Sequence, residues 1–157
     1  MSTRLTQKGT PMVDSLSLQL VFSASKLQEQ ISDYLANSLK SKGYESASPT
    51  VLNFLSALDC GVNYGSEIAR NLGVSRQMVA KTVKELCRVG YLEQVAGVGK
   101  QKQILFTQLG ENLISDARQL LADLDKKFMT EVNDKKLQET LDSLNQLNTL
   151  LLDSDKQ

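Results

Sequence analysis

A chain of 157 residues that is 41% apolar, 23% charged and without net charge has the size of one ordinary domain and can bury a sizeable core. It contains no histidine, and its two cysteines, Cys60 and Cys87, form no C-x-x-C pair, which excludes His-based acid–base and nucleophilic catalysis and most zinc sites. Neither a dinucleotide-binding nor a phosphate-binding glycine loop is present, and no run of about 18 apolar residues could span a membrane; the expectation is a cytoplasmic non-enzyme without cofactor or metal.

Met1 to Pro11 is polar and lacks the apolar stretch of a signal peptide, and residues 1–14 read as a mobile tail. From Ser15 to about Leu39, Leu16, Leu20, Leu27, Ile31, Tyr34 and Leu35 recur at helical spacing, and the segment 15–47 reads as a long helix with a linker. Ser48 and Pro49 open a second helix as N-cap and first helical residue, with Leu52, Leu55 and Leu58 on one face and Gly61 as the stop. A third helix runs from near Ser66 to Gly73, and a fourth from a Ser75 cap to Val89-Gly90. Tyr91–Ala96 and Lys102–Thr107 are β-prone and flank Gly97-Val98-Gly99, which predicts a hairpin. Thr107 caps a long fifth helix; Asn133-Asp134 interrupts it, and a last helix carries Leu137, Leu141, Leu144 and Leu151 at heptad-like spacing. The fold class expected is mainly α with a small β hairpin: a winged helix-turn-helix over residues 48–107, flanked by long N- and C-terminal dimerisation helices at 15–47 and 108–157.

Zero net charge conceals a local imbalance. Between Ser66 and Lys102 seven basic residues face three acidic ones, whereas from Glu111 to the end six basic residues face ten acidic ones. A basic centre between neutral and acidic ends is an electrostatic footprint for nucleic acid. Within it, Ile68, Ala69 and Leu72 face inward, Gly73 permits a sharp turn, and Val79, Val83 and Leu86 anchor the following helix. On that helix's other face Gln77, Lys81, Lys84 and Arg88 stand at i, i+4, i+7 and i+11, flanked by Arg76 and Ala80. Such a face suits the major groove, because Arg and Gln can bond base edges bidentately and Lys neutralises phosphates. Ser75, at the helix N-terminus, adds free backbone N–H groups for a phosphate oxygen. Lys100 and Lys102 follow the hairpin tip. The DNA-binding set expected is therefore Ser75, Arg76, Gln77, Ala80, Lys81, Lys84, Arg88, Lys100 and Lys102.

These stretches resemble the MarR family of winged helix-turn-helix regulators. The matching residues are Ser48-Pro49-Thr50 with Leu52, Leu55 and Leu58; Glu67-Ile68-Ala69; Leu72-Gly73-Val74-Ser75; Leu86 with Val89-Gly90-Tyr91-Leu92; and Phe106-Thr107 with Gly110 and Leu113. The resemblance implies a homodimer with recognition helices in successive major grooves, wings in the minor groove, and repression relieved by a small-molecule effector or an oxidant. One departure stands out. The family wing carries an Asp-x-Arg, whereas Gly97-Val98-Gly99-Lys100-Gln101-Lys102 holds neither Arg nor Asp. Lys cannot reproduce the planar Arg contact, so the wing is expected to add charge and the helix to read sequence.

Leu16 and Leu20 with Leu141, Leu144 and Leu151 are the expected dimer contacts, on apolar stripes too wide for one small domain. Cys60 and Cys87 are expected to be structural thiols, and Tyr34, Tyr44 and Phe54 core residues that define no effector site. The alternative function is a winged-helix protein-assembly module without DNA binding, as in some methyltransferase dimerisation domains, in which the basic stretch would have no purpose.

Overall fold

The computed structural model describes residues 15–154; the tail expected at 1–14 and the last three residues lie outside the described residues. Six helices and one hairpin follow in the order α1 (Leu16–Ser41), α2 (Pro49–Asp59), α3 (Gly65–Leu72), α4 (Arg76–Val89), β1 (Leu92–Ala96), β2 (Lys102–Phe106), α5 (Gln108–Val132) and α6 (Asp134–Ser154). This is a winged helix-turn-helix carried between long outer helices.

The helix starts follow from hydroxyl caps. Ser48, Ser75 and Thr107 have extended backbones, and their side chains accept hydrogen bonds from the N–H of Val51, Met78 and Gly110 at 3.2, 3.1 and 3.1 Å. Each satisfies one of the otherwise orphaned donors of a first turn, worth about 1 kcal/mol. Pro49 sits in the first turn of α2, where its missing N–H costs nothing. Asn133 ends α5 at φ 59°, and its side chain accepts from the Lys136 N–H at 2.9 Å, so the interruption read in the sequence is a two-sided cap.

Two boundaries differ from the sequence reading by one residue, for identifiable reasons. The first strand begins at Leu92 because the Tyr91 N–H is still used by α4, donating to the Leu86 carbonyl at 2.9 Å across the left-handed Gly90 (φ 100°). The second ends at Phe106 because Thr107 has already turned to cap α5. The strands pair antiparallel in the register Leu92 with Phe106 and Ala96 with Lys102.

One buried cluster ties the winged domain together. It takes Phe54, Leu55 and Leu58 from α2, Ile68 and Ala69 from α3, Val79, Val83 and Leu86 from α4, Tyr91, Leu92 and Ile104 from the hairpin region, and Leu113 from α5. Fully burying each large side chain contributes roughly 1.5–3 kcal/mol. Gly110 marks the closest approach: a Cβ there would overlap the Tyr91 carbonyl oxygen, so α5 can cross the hairpin base only without a side chain at this position. From the outer helices, α1 contributes Ala36 and Leu39 to the interior, while α6 contributes no buried residue. No helix among the described residues is long and apolar enough to cross a membrane.

Candidate nucleic-acid interface

The helix-turn-helix is α3 and α4. Gly73 (φ 65°, ψ 33°) makes the corner, and the Val74 N–H donates to the Ala69 carbonyl at 3.0 Å. Ala69 is buried where the two helices approach, as its size requires. Val79, Val83 and Leu86 fix one face of α4 on the core. Arg76, Gln77, Ala80, Lys81 and Lys84 are all exposed, so the polar stripe expected from helical spacing is a continuous outer face.

Arg88, the last member of the stripe, is exposed as well but is paired within the helix. Its guanidinium lies against Glu85 in the same helix, with Nε at 3.0 Å and Nη2 at 2.6 Å from the two carboxylate oxygens. The pairing holds the Glu85 carboxyl below its ordinary range. Arg88 is in the last turn of α4, where a cation suits the helix dipole; among the described residues it is the one member of the stripe whose charge is partnered. Spacing placed it on the outer face correctly but could not register that Glu85, three residues earlier, takes both ends of its fork.

The tip of the hairpin is closed by hydrogen bonds from the Gly97 N–H to the Gln101 carbonyl at 3.2 Å and from the Gln101 N–H to the Val98 carbonyl at 3.4 Å. Val98, at 81% exposure, is the most exposed apolar side chain of the wing, and Lys100 and Lys102 are exposed too. A groove of about 370 Å³ separates the wing from α4; Arg76, Ala80, Lys100 and Lys102 line it, with Tyr64, Ser66 and Gln94. The fold thus sets a helix cation and two wing cations around one cleft, which no local pattern in the sequence could reveal.

Two further residues of this surface escaped the sequence reading. Met78, 55% exposed in the first turn of α4, lies off the i, i+4 stripe, so spacing did not single it out. Tyr64 falls in what reads as a plain loop after Gly61, with no periodicity to single it out.

The residues expected at a dimer contact are placed outside the winged core. Leu16, Leu20, Leu141 and Leu151 are exposed and Leu144 is half-buried. A second cavity, about 550 Å³, lies between α1, α2 and α5, with Leu35, Leu52, Ile114 and Leu121 as apolar lining and an Arg118–Asp59 ion pair among its polar residues. Tyr34, Tyr44 and Phe54 do not line it. Phe54 is in the core, Tyr34 lies under the Lys127 ammonium at 5.7 Å, and the Tyr44 hydroxyl donates to Asp116 Oδ2 at 2.7 Å. That bond to a carboxylate, with burial, pushes the Tyr44 phenol up to about 12. Both cysteines are free thiols, and burial, with Glu93 nearby, pushes the Cys87 thiol up, away from reactivity. No cluster of metal-ligating side chains occurs among the described residues.

No protein-family model matches the sequence, and no curated protein matches it either. Solved structures do. The chain is similar to a MarR transcriptional regulator from Methanosarcina mazei Go1, at TM-score 0.70 and 15% identity over 90% of this chain and 94% of that one. It is similar to wild-type apo MarR from E. coli, at TM-score 0.66 and 14% identity over 87% of this chain and 98% of that one. It is also similar to an organohalide-sensing transcriptional regulator in its 2,4-dichlorophenol-bound form, at TM-score 0.67 and 16% identity over 87% and 82% of the two chains. The chain has the MarR winged-helix fold, outer helices included.

Proposed function

We propose that this chain is a MarR-type transcriptional regulator without catalytic activity, a homodimer that binds double-stranded DNA at a pseudo-palindromic operator and represses until a small-molecule effector releases it. The observation that carries the reading is the exposed Arg76, Gln77, Lys81 and Lys84 face of a core-anchored helix, with Lys100 and Lys102 of the wing across one groove from Arg76. That combination supplies base-reading and phosphate-binding groups on one side of the molecule. Dimerisation is supported by the apolar outer helices: Leu16, Val21, Phe22, Leu150, Leu151 and Leu152 are exposed, and a second copy would cover them. Two recognition helices would then stand about one DNA turn apart. Effector binding is supported by the 550 Å³ cavity between the outer helices and α2, which is of the size small-molecule sites have.

The test is DNA affinity against salt, on operators selected from a genomic library and on scrambled duplexes. Gln77→Ala and Arg76→Ala are expected to cost about 1–3 kcal/mol on the selected operator and to relax base preference there. Lys100→Ala and Lys102→Ala are expected to weaken all DNA alike, each lowering the salt slope by about one unit per subunit. Absence of any salt-dependent DNA binding would instead favour the protein-assembly module.

A further inference from the structure

Tyr64 belongs neither to the buried cluster nor to the polar stripe of α4, yet it lines the groove between the two halves of the candidate interface. Its neighbour Asn63 is fastened to β2 by two bonds. The Ile104 N–H donates to the Asn63 carbonyl at 2.8 Å, and Asn63 Nδ2 donates to the Ile104 carbonyl at 3.2 Å. Tyr64 itself starts α3: its carbonyl accepts from the N–H groups of Glu67 and Ile68 at 3.1 and 3.0 Å. Its ring lies over the start of the wing turn. A Cβ built at Gly97 would stand 2.8 Å from Tyr64 Cε1 and 3.0 Å from its hydroxyl oxygen, as well as 2.8 Å from the Gln101 carbonyl oxygen.

The two glycines of the tip therefore have different reasons to be glycine. Gly99 adopts φ +66° with open space around it, so it serves the turn. Gly97 has no such backbone demand; it lacks a side chain because the Tyr64 ring and the Gln101 carbonyl occupy that space. A two-stranded hairpin is marginally stable by itself, and its angle to the rest of the domain must be set by something packed against it. The register of β1 and β2 fixes the hairpin internally, while Asn63 and Tyr64 tie it to the helix-turn-helix.

We propose that Tyr64 is a positioning residue for DNA recognition: its ring, seated on the Gly97 backbone, holds the wing at the angle that presents Lys100 and Lys102 to backbone phosphates alongside Arg76. The proposal rests on the DNA-binding reading above. The charge of this wing is carried by two lysines, whose phosphate contacts depend on their reach and direction.

The experiment uses the full-length protein and its Tyr64→Ala, Tyr64→Phe and Gly97→Ala variants, with two measurements. The first is amide hydrogen exchange without DNA. Tyr64→Ala and Gly97→Ala should speed exchange about tenfold or more between residues 95 and 104 while α4 keeps its protection. The second is affinity for a mixed-sequence DNA duplex against salt. Tyr64→Ala should bind about tenfold more weakly with a flatter salt slope, and adding Lys100→Ala and Lys102→Ala to it should cost almost nothing more, although both matter in the wild type. Tyr64→Phe should keep wild-type behaviour in both measurements, since the ring rather than the hydroxyl is the brace. Wing exchange in Tyr64→Ala as slow as in the wild type, or lysine substitutions whose cost is undiminished in that background, overturns the proposal while leaving DNA binding standing. A wild-type protein that binds no duplex at low salt overturns the DNA reading and this proposal together.

Discussion

The winged domain and the outer helices use the same aliphatic side chains to opposite effect. In the first, Leu55, Ile68, Leu86, Ile104 and Leu113, drawn from five different elements, are almost wholly buried. In the second, Leu16 is 82% and Leu151 66% exposed, and α6 buries no residue at all. A helix whose apolar residues find no partner within its own chain is not stabilised by its own burial. Residues 16–22 sharpen the point, because Leu16, Leu18, Leu20, Val21 and Phe22 are exposed all round α1, so no single neighbouring face could cover them. The winged domain is complete within one chain; the ends leave exposed the apolar surface that the proposed dimer would cover.

The largest expected effect breaks that comparison at its weak side. Ending the chain after Asn133 removes α6 and should abolish both dimerisation, read by sedimentation, and tight DNA binding, while the truncated protein still unfolds cooperatively. A truncated chain that remains a stable dimer would place the contact elsewhere. Next comes the core. Leu86→Ala should cost about 2–5 kcal/mol in urea unfolding, through lost burial and the cavity left behind, with the same loss at every protein concentration. Leu151→Ala should behave differently. Its cost should appear as an increased dimer dissociation constant and should vanish from the unfolding of dilute monomer, where exposed substitutions stay within about 0.5 kcal/mol.

The smallest effect concerns the joint between the two regions, the Tyr44–Asp116 hydrogen bond from the α1–α2 connection to α5. The Tyr44 phenol is raised from 10.0 to about 12, so the neutral, donating form is the one the fold favours. Its contribution is fully present below about pH 10 and is lost as pH rises towards about 12. The stability difference between wild type and Tyr44→Phe should accordingly be constant at neutral pH and shrink above pH 10. A difference that stays constant throughout that range would mean the bond does not couple to folding.

Much of this was legible in the chain because it is local. Ser48, Ser75 and Thr107 announce helix starts through a hydroxyl that reaches its own first turn, and the corner at Gly73 needs only one residue with a left-handed backbone. The outer face of α4 follows from 3.6-residue spacing and the buried positions opposite it. Spacing put Arg88 on the outer face but gave no sign that Glu85 pairs with it, because spacing assigns a face and not a partner. Tyr64 was missed because its importance comes from Gly97, 33 residues later, and nothing in either neighbourhood signals the other.

The sequence by itself determined the helix order, the hairpin, the basic centre and the apolar excess at the ends, since composition and periodicity act over a few turns of chain. Only the tertiary structure decided that Arg76 shares a groove with Lys100 and Lys102, that Gly97 is small for the sake of a tyrosine and a carbonyl and Gly110 for the sake of another carbonyl, and which leucines are covered. These are contacts between residues distant in the chain, fixed by how the helices and the hairpin pack around one core, and close packing between such elements leaves no trace in the pattern of either one alone.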